Sequence, residues 1–263
     1  MNATVAPLVF ITGASSGIGQ ALALRYYRQG WRLALVARRR EAIDAWAAAQ
    51  GLEAGRWASW HADVALTDSI VGAARDCIAA QGLPEVVIAC AGISVGIDTA
   101  ERGDIDVLAE SFAVNTVGVA ATFHAFVEPM RQRGSGRLVG IASVAGIRGL
   151  PGHGAYCGSK AATIAYCESL RGEMRGSGVR VVTLCPGYVD TPLTRRNRYG
   201  MPFLMTPEAF AAKALPAIAD GVALRVIPWQ MAVVARVLRL LPAALYDRLL
   251  AGRPRKLRRG ENS

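Results

Sequence analysis

The feature that most limits what this chain can fold into is an alternation. Short apolar runs of β type are separated repeatedly by helix-length amphipathic segments. A parallel strand buried on both faces reads as an unbroken apolar run, and the next parallel strand needs a crossover long enough to hold a helix. Seven such runs stand at 8–11, 32–37, 58–62, 86–90, 137–142, 180–185 and 225–227, with helices expected over 17–29, 40–50, 67–80, 105–132 and 156–175. Because crossovers are right-handed almost without exception, the pattern predicts an α/β fold with a doubly wound parallel sheet. Its ligand crevice belongs at the strands' C-terminal ends, beside the first strand.

The chain's 263 residues, 52% of them hydrophobic, suffice for one large core, and no repeat or low-complexity stretch divides it. We read one domain over 1–228, including a cover over the site at 188–216, followed by an amphipathic extension and basic tail at 229–263. The start of the chain carries no secretory pattern, and the five cysteines are odd in number and lack CxxC spacing. Both suit a reducing cytoplasm. The formal net charge is +10, but much of it lies in Arg253, Arg255, Lys256, Arg258 and Arg259 of the tail and in the run Arg38-Arg39-Arg40. No nucleic-acid module or aromatic-interleaved basic groove accompanies that charge, so no nucleic-acid partner is expected. For the tail, a solvated basic surface is the simplest account.

After the first apolar run comes Thr12-Gly13-Ala14-Ser15-Ser16-Gly17-Ile18-Gly19, then a helical segment. Glycines are needed where the chain turns sharply and where backbone approaches a pyrophosphate, and the helix that follows offers unpaired N–H groups to the anion. That is the turn of a Rossmann-type seven-stranded sheet. After the second strand, a dinucleotide fold places the group that reads the adenosine ribose. An acid there accepts from the 2′-OH of NAD, whereas Arg38 and Arg39 suit the 2′-phosphate of NADP, or else merely solvate a helix start. Asp63, next to Val64, is either an acceptor for the adenine amino group or a helix cap.

Ser143 ends the fifth run, and Tyr156 follows in Tyr156-Cys157-Gly158-Ser159-Lys160. Residues i and i+4 share a helix face, so the Lys160 ammonium can approach the phenol and lower its pKa from about 10. Ser143 is placed to donate to a substrate oxygen. The histidines His61, His124 and His153 are too scattered for a metal set. No metal is expected. His153 either touches substrate or is an exposed loop residue.

Taken together, Thr12-Gly13-x-x-x-Gly17-x-Gly19, Asn115, Ser143, Tyr156-x-x-x-Lys160 and Pro186-Gly187 resemble the short-chain dehydrogenase/reductase family of the Tyr-x-x-x-Lys type, over about residues 7–228. The resemblance implies an oxidoreductase moving a hydride between NADP(H), preferred over NAD(H), and a carbonyl or alcohol. It implies Tyr156 as acid/base, Ser143 as substrate-orienting, Lys160 on the nicotinamide ribose, and Asn115 holding a water that links Lys160 to solvent. Gly13, Ser15, Ser16, Gly17, Ile18 and Gly19 would take the pyrophosphate side, and Pro186, Gly187, Val189 and Thr191 the nicotinamide end. It also implies a homodimer or homotetramer through the helices 105–132 and 156–175. One departure stands out: similar proteins carry Asn-Ala-Gly after the fourth strand, where this chain has Cys90-Ala91-Gly92. A thiol cannot make an amide's hydrogen bonds, so an altered cofactor contact is expected there.

An apolar pocket is expected from Leu193, Met201, Pro202, Phe203, Leu204 and Met205 of the cover with Ile147 and Leu150, pointing to a lipophilic ketone or aldehyde. Arg236, Arg239 and Pro242 interrupt the extension, which therefore cannot span a bilayer. It lies in a membrane interface, a peripheral contact through 229–259 at the inner face, or packs on the substrate side or a partner subunit. Two alternatives stay open: a membrane-surface dehydrogenase of steroid-like or long-chain lipid alcohols, and a non-catalytic dinucleotide-sensing or scaffold protein.

Overall fold

A computed structural model describes residues 5–197, 199–252 and 254–261. The seven expected strands form, as β1 (Leu8–Thr12), β2 (Arg32–Ala37), β3 (Trp57–His61), β4 (Val86–Ala89), β5 (Gly136–Ile141), β6 (Val179–Pro186) and β7 (Leu224–Ile227). They pair in parallel in the order β3-β2-β1-β4-β5-β6-β7. The doubly wound Rossmann-type sheet, in a single domain, is therefore as expected. Winding reverses between β1 and β4, so the crossovers leave to opposite sides of the sheet there and open a crevice.

Alternation along β1 sends its side chains to two packed layers. Val9 and Ile11 face α1 (Gly17–Arg28), while Leu8 and Phe10 face α3 (Thr67–Gln81). Phe10 meets Phe126 of α5 (Gly118–Arg133) at 4.8 Å between ring centroids. Residues 102–133 are apolar and long enough to cross a membrane by length and composition alone, yet Phe123, Phe126 and Met130 are spent on this core. The expected helix 105–132 is in fact two helices, α4 (Arg102–Phe112) and α5, joined by a π-helical turn at Ala113–Val117. α2 (Arg40–Ala49) covers β2 and β3, and α6 (Gly154–Glu173) carries the Tyr-x-x-x-Lys segment.

The proposed cover 188–216 divides. From Pro207 on it is α7 (Pro207–Ala219), capped by Thr206, with Phe210, Ala211, Ala214 and Leu215 buried in the core against α1. Only 188–206 lies over the strand ends. Our reading missed this helix because its mean apolarity left no sharp polar face to mark it.

The extension folds back on its own chain. α8 (Trp229–Leu240) buries Met231 and Ala235 against Ala142, Cys185 and Val226, and α9 (Ala243–Leu250) buries Tyr246 and Leu250. The Arg148 guanidinium, in the loop after β5, stacks 3.8 Å from the Tyr246 ring centroid and donates to the carbonyls of Leu238 and Leu241. The outward stripe of Trp229, Val233, Val237 and Leu240 is exposed.

The tail corrects the solvated-surface reading. Arg253 lies outside the described residues. Beyond it the chain crosses the mouth of the cleft as a strap, the Gly96 N–H donating to Leu257 O at 2.9 Å. A Cβ on Gly96 would sit 2.1 Å from Lys256 O, so the strap fits only against a glycine. Arg258 Nε reaches the buried Asp104 carboxylate at 2.6 Å, and Arg255 pairs with Asp98. These basic residues are therefore ion-paired clasps.

The Arg258 hydrogen bond, aided by the Asp98 amide, holds the Asp104 carboxyl below the usual carboxylate range. A depressed carboxylate contributes stability above its ordinary value of about 4 and loses it as the pH falls through the lowered one. Asp104→Asn removes the charge at every pH and is expected to loosen the strap. Hydrogen exchange over 254–261 and tryptic cleavage after Arg255 to Arg259 should both rise; exchange as slow as in the parent would refute the clasp.

Candidate active site

Two cavities open at the C-terminal ends of the strands. The first, about 280 Å³, follows the β1/β4 crevice, and all of Gly13, Ser15, Ser16, Gly17, Ile18, Gly19, Arg38, Arg39, Asp63, Val64, Cys90, Ala91, Gly92, Tyr156, Lys160, Pro186, Gly187, Val189 and Thr191 line it. At one end α1 points its N-terminus into the cleft. Ser16, the residue before the helix, makes no side-chain cap, and the first turn contains no acid, so the N–H groups there are left for an anion. That arrangement fits a dinucleotide pyrophosphate. Gly13 makes the turn possible: φ is +69°, and a Cβ would lie 2.8 Å from the Ala91 backbone.

At the ribose end, Arg38 Nη1 lies 3.8 Å from Asp63 Oδ2. Asp63 Oδ1 accepts from the Ala65 N–H at 3.0 Å in the turn before α3, whose N-cap is Leu66 with no side-chain cap, so Asp63 does not cap that helix. Arg40 is committed elsewhere, its Nε donating to Ser59 Oγ at 2.9 Å. Arg39 has no ion pair among the described residues and lines the cleft.

The substitution of Cys90 for the usual amide leaves the turn intact because Thr12 holds it. Thr12 Oγ1 accepts from the N–H groups of both Cys90 and Ala91, at 3.1 and 3.2 Å. Burial pushes the Cys90 thiol up to about 12, so it is a protonated, unreactive group.

The chemical end is built by β5 and α6. Ser143 follows β5, and its Oγ accepts from the Ala145 N–H at 3.1 Å while hydrogen-bonding Tyr156. Lys160 is buried, donates to Ile141 O at 2.7 Å, and sits 6.0 Å from the Tyr156 ring centroid. The expected lowering of the phenol by Lys160 is not what the protein alone shows. Burial dominates, pushing Tyr156 up to about 12 and Lys160 down to about 8.

Asn115 lines neither cavity. From the π-helical turn its Oδ1 accepts from Ile93 N at 2.9 Å, and its Nδ2 donates to Ile93 O and Ser159 Oγ at 3.0 and 2.9 Å. The Asn115 side chain thus ties the loop after β4 to α6.

The second cavity, about 290 Å³, is lined largely by apolar groups and shares Ser143 and Tyr156 with the first. Of the expected lining, Ile147, Leu150, Leu193 and Pro202 are present, whereas Phe203 and Leu204 are exposed and Met205 packs on the core. The extension adds a further part of the wall, with Met231, Val234, Leu238 and Tyr246. His153 is buried beside it, not exposed; Nδ1 donates to Pro151 O and Nε2 accepts from Tyr199 OH, each at 3.0 Å, and burial lowers its pKa. His61 and His124 stand on β3 and α5, outside both cavities.

The short chain dehydrogenase family model matches residues 7–201. The chain belongs to that family. It is an oxidoreductase of the short-chain type, whose fold binds a nicotinamide dinucleotide. An uncharacterized oxidoreductase of Myxococcus xanthus is 38% identical to it, over 90% of this chain and 93% of that one. The bovine (Bos taurus) dehydrogenase/reductase SDR family member 7B is 32% identical over 97% of this chain and 84% of its own length, a match long enough to take in the extension. Among solved structures, an alcohol dehydrogenase from Thermococcus sibiricus complexed with 5-hydroxy-NADP superposes with a TM-score of 0.73 at 27% identity, covering 85% of this chain and 96% of that one.

A side chain at Gly13 would be held in the left-handed region, at about 1–3 kcal/mol, and pressed into Ala91. Gly13→Ala is therefore expected to lower the melting temperature and to abolish the upward shift that NADPH gives the parent. A full NADPH shift in a normally folded variant would mean that this turn is not where the dinucleotide binds.

Proposed function

We propose that this short-chain dehydrogenase is an NADP(H)-preferring reductase of lipophilic ketones or aldehydes. One observation carries the reading: the hydrogen-bonded pair Ser143 and Tyr156 stands where the dinucleotide cleft and the apolar cavity meet, with Lys160 behind the phenol. When bound, the reduced nicotinamide supplies the hydride. Ser143 holds the carbonyl oxygen, and Tyr156, kept protonated by its burial, donates the phenolic proton to that oxygen as charge builds on it. The phenolate left behind is stabilised by the Lys160 ammonium, which its bond to Ile141 O keeps close. Asn115 positions the loop and helix that frame this group. The proton inventory favours reduction, since a phenol near 12 is an acid that stays loaded at neutral pH.

The NADP preference draws on Arg38 and Arg39, which follow β2 at the position where an acid would read a free 2′-hydroxyl. The Thermococcus sibiricus alcohol dehydrogenase, complexed with 5-hydroxy-NADP, supports it. Arg39→Ala is expected to raise the KM for NADPH roughly tenfold or more, as fits one charge-assisted bond to phosphate, with little effect on NADH. Equal losses with both cofactors would remove the argument for NADP.

The reductase assignment is tested by following NADPH absorbance with a panel of aldehydes, ketones and oxo lipids. Tyr156→Phe should lower kcat by roughly two to four orders of magnitude while NADPH still binds. The pH profile adds a second test. Lys160, with its pKa down at about 8, carries its charge below that pH and loses it above. Reduction at saturating NADPH should thus slow as the pH rises through about 8, a step absent from Lys160→Met. A folded protein that binds NADPH but turns over nothing on the panel would instead favour the dinucleotide sensor.

A further inference from the structure

Lys256 is the one lysine of the C-terminal strap, and the strap places it in the wall of the apolar cavity. It is only 7% exposed. Its Nζ donates to Asn197 Oδ1 at 3.0 Å and more weakly to Leu193 O at 3.4 Å, which leaves one of its three protons unassigned. No carboxylate among the described residues pairs with it, although Arg255 and Arg258 on either side are paired with Asp98 and Asp104. No aspartate or glutamate among the described residues lines the cavity. The other arginine or lysine lining it among the described residues, Arg148, is held by the Leu238 and Leu241 carbonyls and the Tyr246 ring. Burial pulls Lys256 down to about 8, still above neutrality, so most of it is charged at pH 7.

A cation removed from water without a counter-ion is costly, and a chain free to vary would place such a residue outside. Here the backbone fit at Gly96 and the two flanking ion pairs force it inside. The same cavity therefore has proton-donating Tyr156 in its wall, an apolar body made by Leu150, Met231 and Leu238, and an ammonium with a spare donor.

We propose that Lys256 binds an anionic group of the substrate, a carboxylate or phosphate monoester separated from the reacting carbonyl by an apolar chain. This rests on the reading that carbonyl reduction takes place in this cavity. The substrate class then narrows from lipophilic carbonyls to amphiphilic ones with an acidic end. Asn197 accepts from Lys256 through Oδ1 and lines the cavity, while its Nδ2 donates to the weakly accepting Met201 Sδ at 3.5 Å, a donor that the same anion's second oxygen would compete for.

The test separates the anion site from the chemistry. Binding of decanoate, decyl phosphate and decanol to the intact protein with saturating NADP is measured by calorimetry, beside the kcat/KM of a medium-chain oxo acid and its methyl ester. The parent should prefer an acid over decanol by roughly tenfold or more, and the oxo acid over its ester likewise, as one charge-assisted bond provides. Whichever acid binds more tightly identifies the anion. Lys256→Met should collapse both ratios towards one, and Lys256→Arg should largely restore them. If the parent shows no preference for the acids, or Lys256→Met weakens acid and alcohol by the same factor, Lys256 is only a latch for the strap and the proposal fails. A preference for acids in binding with no turnover of either oxo compound would uphold the anion site and overturn the reductase reading.

Discussion

Everything in this molecule is arranged around the divergence of two neighbouring strands. β1 and β4 are paired in the sheet. Their crossovers depart to opposite faces, so the sheet has a gap at their C-terminal ends that no side chain of the core fills. The Thr12 hydroxyl, accepting from Cys90 and Ala91 across a separation of 78 and 79 residues, pins the two strand ends together at the base of that gap. Gly13 then turns away against the Ala91 backbone at a distance no Cβ permits. If that contact slackened, the N-terminus of α1 would lose its aim and the cleft its floor. This is also why Cys90 is tolerated: the work of holding the turn belongs to main-chain donors and one hydroxyl, and the side chain at 90 takes no part in it.

The chemical end depends on a conflict between burial and charge. A phenol and an ammonium in the same dry site are both driven by burial toward their neutral forms. Only Ser143, among the neighbours, favours the ionised phenol. The phenol is thereby stored as an acid, and its conjugate base becomes affordable only when a developing alkoxide takes the proton while Lys160 stands charged beside it. The Ile141 carbonyl contributes by giving the ammonium one partner that is neither the phenol nor water.

The sequence made some of this legible and hid the rest for physical reasons. The strands and the residues along the dinucleotide cleft were readable because they are local: a buried parallel strand has its own apolar signature, and a glycine turn followed by a helix specifies what the backbone must do. The π-helical turn at 113–117 was not, since the helical apolar period runs through it, and what distinguishes it is Asn115 bonding to Ile93 and Ser159 from elements far along the chain. α7 escaped notice because it is apolar on too many sides to show an amphipathic face. His153 and Lys256 are buried, although nothing within a few positions of either signals it. Both are covered by tertiary partners, Tyr199 for one and the loop carrying Leu193 and Asn197 for the other.

The extension packs on the substrate side, one of the two places its sequence allowed, whereas its basic tail is less solvated than composition suggests. Arginines flanking an apolar helix read equally well as a membrane surface or a solvated tail, since both place charge in water. The distinguishing signal was on the opposite side of the contact. Gly96 must lack a side chain to admit Lys256 O, and Asp104 must be buried and ionised to receive Arg258. Acidic residues at Asp98, Glu101 and Asp104 lie at the mouth of the cleft opposite the basic strap, so the clasp is electrostatic at its edges and apolar where α8 and α9 meet the cavity. Two environments meet in one short segment: the ion pairs of Arg255 and Arg258 fasten it, and Lys256, with no carboxylate partner among the described residues, lines the cavity.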